Sequence, residues 1–400
     1  MSGATEPSHA VTLFLGGDVM TGRGIDQIML RPSRAELRES YMKDARGYVE
    51  LARNKSGPIP MPVDAQYVWG EALGEFGKRN PDVRIANLET SVTRSDDYWN
   101  KKGIHYRMHP ENIACLTAAR LDVCALANNH VLDFGERGLL ETLEVLQGAG
   151  IQTVGAGRDP AEARLPAALP LPGGGRILVL SFGTGDSGVP WTWQATATRP
   201  GIDFLSDLSE AGARQVVERV ARAKQPGDIV VASIHWGRNW GYEVPAAHIR
   251  FAHRLVEGGV DVIHGHSSHH PRPIEVWNGR LILYGCGDFI DDYESISGYE
   301  AFRDDLVLMY FAKITAANGD LVGLEMVPMQ IQRMRLAHAS ADDAQWIADR
   351  LARISEPLGS SISLSPDGGS LRLARASDGD AGGAVSNARL NDILAPPHGA

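Results

Sequence analysis

The chain has 400 residues, enough for one large α/β domain with additions or for two or three domains. Its 43% hydrophobic and 22% charged residues are those of an ordinary soluble globular protein, and 39 basic against 49 acidic residues, net −10, argue against nucleic-acid or anionic-membrane partners. The odd set Cys115, Cys124 and Cys286, without a CxxC pair, argues against a disulfide framework and a cysteine zinc site. The opening MSGATEPSHA lacks the basic and apolar regions of a signal peptide, and no apolar run approaches membrane-spanning length. A cytoplasmic protein is expected.

In chain order, Val11 to Gly17 reads as a buried strand that ends in Asp18, a carboxylate placed either as a ligand at a sheet edge or as a helix N-cap. Residues 29–76 are less regular. Ala35 to Arg53 reads as a charged helix, Gly57 to Pro62 as extended or turning, and Val68 to Phe76 as a short helix. Such an insertion either lines a cleft or decorates the surface. Val83 to Asn87 is a second strand, followed by Glu89. The segment Tyr98 to Met108 carries aromatics, bases and His105, which either meet a substrate or pack a loop.

A helix over Ile113 to Arg120 leads to the strand Val123 to Leu126 and then Asn128-Asn129-His130. Leu139, Leu143 and Leu146 keep helical spacing until Gly148 and Gly150. Ile151 to Gly155 and Arg176 to Phe182 are further strands, and Ser209 to Lys224 a helix. Asp228 to Ile234 is a strand ending in His235-Trp236, and Pro245 starts a helix. Val260 to Ile263 is a strand that runs into four histidines within seven residues, His264, His266, His269 and His270. Neutral imidazoles on a loop at a strand's carboxyl end suit a metal site, although a His-rich tract alone is also met in solvated loops. Leu281 to Gly285 is another strand, with Asp288 beyond it. Leu306 to Thr315 and Leu321 to Ile331 form a hairpin around Asn318-Gly319, and Ala341 to Ile354 a helix.

The βα rhythm is that of a layered α/β fold. Asp18, Glu89, Asn129-His130, His235 and the His266/His269 pair fall at the ends of successive strands, and this mixed oxygen and imidazole set suits manganese, iron or zinc.

Here a resemblance becomes specific. GGDVMTGR at 16–23, ANLET at 86–90, ALANNHVLDFGERGL at 125–139, GAGRDPAEAR at 155–164, IHWGRNWGYE at 234–243 and GHSSHHPRPIE at 265–275 resemble the bacterial poly-gamma-glutamate capsule-synthesis proteins of the CapA type. Their fold is similar to the calcineurin-like metallophosphoesterases. The resemblance implies a four-layer α/β sandwich with mixed central sheets over residues 11–335, containing the 29–76 insertion. A C-terminal β and helical addition would cover 336–373, with flexible ends at 1–10 and 374–400.

It also implies one or two divalent ions (manganese, iron or zinc). Asp18 would ligate the first ion together with His269, Glu89 would bridge, and Asn129, His235 and His266 would hold the second. His130 would be the catalytic acid or charge stabiliser. Arg23, Asn128, Trp236 and Asp288 would face a small anionic or glutamyl-type substrate, since a guanidinium clamps carboxylate or phosphate. The implied activity is hydrolysis of a phosphoester or a γ-glutamyl amide by a metal-activated water. The alternative is a non-catalytic polyglutamate- or partner-binding component of capsule biosynthesis.

Three departures stand out. Met20 occupies the position where metallophosphoesterases carry a histidine, GHSSH stretches their GHxH, and Gly287-Asp288-Phe289 replaces the capsule family's Gly-Asn-Phe. His264, His270 and His105 are read as supporting or surface histidines. The sequence leaves the oligomeric state open.

Overall fold

The computed structural model describes residues 10–374; the expectations for 1–10 and 374–400 fall almost wholly outside that range. Two mixed sheets form among these residues. In the first, the strand Ala10–Val19 is central. It pairs in parallel with Val83–Leu88, which continues to Val123–Ala125 and Gln152–Val154. On its other side it pairs antiparallel with Leu306–Thr315, the first arm of the expected hairpin with Leu321–Ile331, and in parallel with the short Asp288–Ile290. The second sheet places Arg176–Thr184, Ile229–His235, Val262–His266 and Arg280–Leu283 in parallel, with Ile274–Trp277 antiparallel at its edge.

The strands alternate as their period requires. Val11, Leu13 and Leu15 face the second sheet and meet Ile177, Val179, Val231 and Val262 in a core between the sheets. Phe14 points the other way, into a core with Leu139, Leu143 and Leu146 of the helix Gly135–Gly148. Helices Glu210–Ala223 and Ala246–Glu257 cover the outer face of the second sheet through Val216, Val220, Ile249 and Leu255. The order helix, sheet, sheet, helix is the four-layer α/β sandwich.

Two expectations change. Residues 35–45 are not helical: an isolated bridge joins Glu36 to Asp44, and the helix starts only at Arg46 and runs to Ser56. The reading of 29–76 as surface decoration fails as well, because Ile59, Val63, Trp69 and Phe76 are buried in the main core. The C-terminal strands Ile362–Leu364 and Leu371–Leu373 extend the first sheet. No helix among the described residues is long and apolar enough to cross a membrane.

Candidate metal centre

Strand register assembles the site. Asp18 lies opposite Asn87 on one neighbouring strand and Asp288 on the other, and in the second sheet His235 lies opposite His266. All these strands run in parallel, so their carboxyl ends open on one edge, where α/β sheets collect ligands. Close approach is needed to bring the strand of Asp18 against Gly287. A Cβ on Gly17 would sit 1.8 Å from the Gly287 carbonyl oxygen, so glycine is required there. Ser267, at φ 99, occupies the left-handed region and donates its N–H to Asp18 Oδ2 at 3.1 Å. A non-glycine residue held so is over-determined by its surroundings, a condition common at functional sites.

Two groups of ligand atoms result, Asp18 with His235 and His266, and Asp18 with His269 and Asp288. Within each group the atoms lie within 4.8 Å of one another. All five residues are buried. The carboxylate common to both groups is Asp18. Glu89 stands beside it, joined through Asn87 Nδ2, which donates to Asp18 Oδ1 at 2.8 Å and Glu89 Oε2 at 3.1 Å.

The electrostatics are those of a site short of positive charge. Burial and Asp288 push the Asp18 carboxyl up to about 7. Glu89 and Asp288 are driven well above the carboxylate range, by burial first and then by Asp18 on Glu89 and by Asp304 on Asp288. Burial holds His269 down to about 4, and His235 and His266 well below their ordinary value. Asn129 Oδ1, His235 Nε2 and Asp288 Oδ2 are buried without a hydrogen-bond partner among the described residues. Unsatisfied buried acceptors beside crowded carboxylates are what a divalent cation would complete, and the oxygen and nitrogen donors fit manganese, iron or zinc.

A hydrogen-bond relay sets the imidazole of His266. His264 Nε2 lies 2.8 Å from the Gly16 carbonyl oxygen and must donate to it, so His264 Nδ1 accepts from Ser233 Oγ at 3.1 Å. The Ser233 oxygen then accepts from His266 Nε2 at 2.9 Å. His266 Nδ1 is thereby an acceptor, 2.9 Å from His235 Nδ1, which donates to it, and 3.8 Å from Asp18 Oδ1. This is how buried partners fix a ligand's tautomer. His264 is therefore a supporting histidine, and so is His270, which Phe302 and Trp240 stack.

His130 is organised differently. Its Nδ1 lies 2.6 Å from Asp133 Oδ2, and its Nε2 faces Glu89 Oε1 at 3.8 Å. Asp133 also accepts from Lys102 Nζ at 2.6 Å and from the Tyr106 N–H at 2.8 Å. Burial holds the His130 ring down to about 4, opposed chiefly by Asp133. Asp133 and Lys102 escaped the sequence reading; the available signal was the spacing His130 to Asp133, one turn apart after Asn129. Asn239 was also missed: its side-chain amide lies 2.8 Å from His269 Nε2 and holds the ring with Nδ1 2.9 Å from Asp288 Oδ1.

The four residues expected to face substrate go elsewhere. Arg23 is buried between Asp292 and Glu39, and Tyr48 takes a further N–H, so it is no free anion clamp. Asn128 braces strand ends: Nδ2 donates to Asn87 Oδ1 at 3.0 Å and to the Leu88 carbonyl at 2.8 Å, and Oδ1 accepts the His130 N–H at 3.0 Å. Trp236 stacks on His248 in the core and donates to the Tyr284 carbonyl at 3.0 Å. Asp288 joins the ligand group itself. It adds a carboxylate where Met20, buried with Tyr293 Oη 3.7 Å from its sulfur, offers only a thioether.

Residues 12–293 match the family described as bacterial capsule synthesis protein PGA_cap. A "Probable polyglutamine synthesis accessory protein" of Mycobacterium tuberculosis is 48% identical over 358 residues, 89% of this chain and 94% of that protein. The PGA biosynthesis protein CapA of Bacillus subtilis is 30% identical over 236 residues, 59% of each chain. The capsule biosynthesis protein CapA of Bacillus anthracis is 27% identical over 262 residues, 64% of this chain and 59% of that protein. With this site at the carboxyl edge of a four-layer α/β sandwich and a family match over most of its length, the chain belongs to the bacterial capsule synthesis (PGA_cap, CapA-type) family.

Proposed function

We propose that this protein is a metal-dependent hydrolase of a small anionic substrate, a phosphoester or a glutamyl-type amide, working in the cytoplasm. The observation that carries the reading is the sharing of Asp18 by two buried ligand groups whose outer members include unpartnered donor atoms. Asp18, His269 and Asp288 would hold one ion, and Asp18, His235, His266 and Asn129 another. A divalent ion there supplies Lewis acidity toward a phosphoryl or carbonyl oxygen and makes water nucleophilic at neutral pH.

The chain's own part lies in positioning and proton handling. Asp133 and Lys102 fix the His130 ring so that Nε2 points into the site. A neutral ring receives a proton at Nε2 from the attacking water and returns it to the leaving group. The 98–107 segment flanks this edge, with Lys102 and Tyr106 against His130.

A second reading, a non-catalytic polyglutamate-binding component, is favoured by one observation, the buried Met20 in place of an imidazole. A panel of phosphoesters and γ-glutamyl amides, run with manganese-loaded protein, separates the two. Turnover is expected, with His130→Ala lowering it by about a hundredfold or more at unchanged metal content. Absence of both bound transition metal and hydrolysis across the panel would leave the binding reading standing.

A further inference from the structure

Two excursions from the α/β scaffold, residues 33–45 and 95–107, meet beside the metal centre and enclose a cavity of about 110 Å³, room for several waters. Arg23 forms part of its wall. The Arg23 guanidinium carbon is 4.6 Å from the centre of the Tyr106 ring, and that ring is 4.4 Å from the ring of His130. Arg23 and Tyr106 thus stand between the cavity and His130.

The polar groups of the cavity are incompletely used. His105 is 5% exposed, and its Nε2 lies 2.7 Å from the Trp99 carbonyl oxygen. The neutral ring therefore carries its proton on Nε2 and leaves Nδ1 as an acceptor, and Nδ1 is buried without a partner among the described residues. Ser33 Oγ, also in the lining, is likewise buried without a partner among the described residues. Around the mouth, Arg34 at 3.2 Å and Arg107 at 2.8 Å both depend on Asp96, so one carboxylate serves two guanidiniums. Arg38 reaches Glu36 at 3.0 Å and lies over the Tyr98 ring at 4.5 Å. Asp26 forms no ion pair with them; its oxygens accept from Ser33 N–H, His109 N–H and the Asn112 amide. Leu37, Tyr98 and Phe134 give the remaining wall an apolar surface.

We propose that this cavity is a second ligand site, taking a carboxylate carried a few methylenes from an amide. The amide N–H meets His105 Nδ1, the carboxylate meets the arginine rim, and the methylenes lie against Tyr98 and Phe134. Its identification with a glutamyl unit rests on the substrate reading given above; the site itself does not require turnover.

Calorimetric titration of the full chain with γ-glutamylglutamate, manganese-loaded and after metal removal, tests it. Binding is expected in both forms. The double substitution Arg34→Ala with Arg38→Ala, at exposed positions that leave the fold alone, weakens it about tenfold or more. His105→Phe, which keeps the ring packing, weakens it similarly, whereas glutarate, which has no amide, is insensitive to that change. Binding that vanishes with the metal but ignores the arginine pair puts the ligand in the metal centre and overturns the proposal, as does no binding at millimolar concentration. Absence of hydrolysis with binding retained overturns only the catalytic reading.

Discussion

Asp288 shows how far single residues were legible. That a carboxylate stood near the site was readable from Gly287-Asp288-Phe289, but its partner His269 lies 19 residues earlier and is aimed by Asn239, 30 residues from His269. Sequence spacing carries no such geometry. Strand-end residues such as Asp18 and His235 were legible because an apolar run ending abruptly in a ligand-type side chain is a local signal. The relay Gly16–His264–Ser233–His266 was not, since it joins two sheets. Asp288→Asn provides the test. An amide offers no charge to offset the missing imidazole at Met20, so metal stoichiometry is expected to fall from two toward one, with the His235/His266 position still filled. Elemental analysis after gel filtration reads this directly, and an unchanged stoichiometry removes Asp288 from the ligand set.

Among elements, strands were read well and irregular segments poorly. Residues 35–45 contain good helix formers, yet tertiary partners override propensity. Glu39 is drawn to Arg23 and Tyr48, and the backbone closes on itself through Leu37 N–H to Lys43 O at 2.9 Å and Ala45 N–H to Ala35 O at 2.7 Å. The hairpin Ile274–Trp277 with Arg280–Leu283 had a readable signal, Asn278-Gly279, whose positive φ values of 49 and 75 suit a tight primed turn. Arg23 ties the insertion to the scaffold. Its guanidinium joins Glu39 of the insertion to Asp292 just beyond the strand Asp288–Ile290, with 1% side-chain exposure for each partner. Arg23→Leu leaves two buried carboxylates without their cation and is expected to cost about 3–5 kcal/mol. Urea unfolding measures it, and a loss below about 1 kcal/mol would show that the cluster tolerates separation.

Across the whole molecule, the candidate centre joins the two sheets: Asp18 and Asp288 come from one, His235 and His266 from the other, above a core between the sheets that includes Leu13, Leu15, Val179 and Val231. A cation bound there stabilises the folded chain, because the unfolded chain does not assemble the site. The size of that effect depends on pH, and the sign follows from Asp18. In the ion-free protein its carboxyl is raised from 3.8 to about 7, so the folded state holds a proton that the unfolded state releases. The associated stability is fully present below 3.8 and is lost as pH rises through about 7. Above that range the carboxylate is charged, buried and uncompensated, and an ion enters without displacing a proton. Below it, the ion must compete with the proton. Manganese is therefore expected to raise the melting temperature more at pH ~8 than at pH ~5.5, while the ion-free protein loses stability over the same rise. Differential scanning fluorimetry with and without manganese at the two pH values reads both trends. Equal shifts at the two would mean that Asp18 does not ligate the ion.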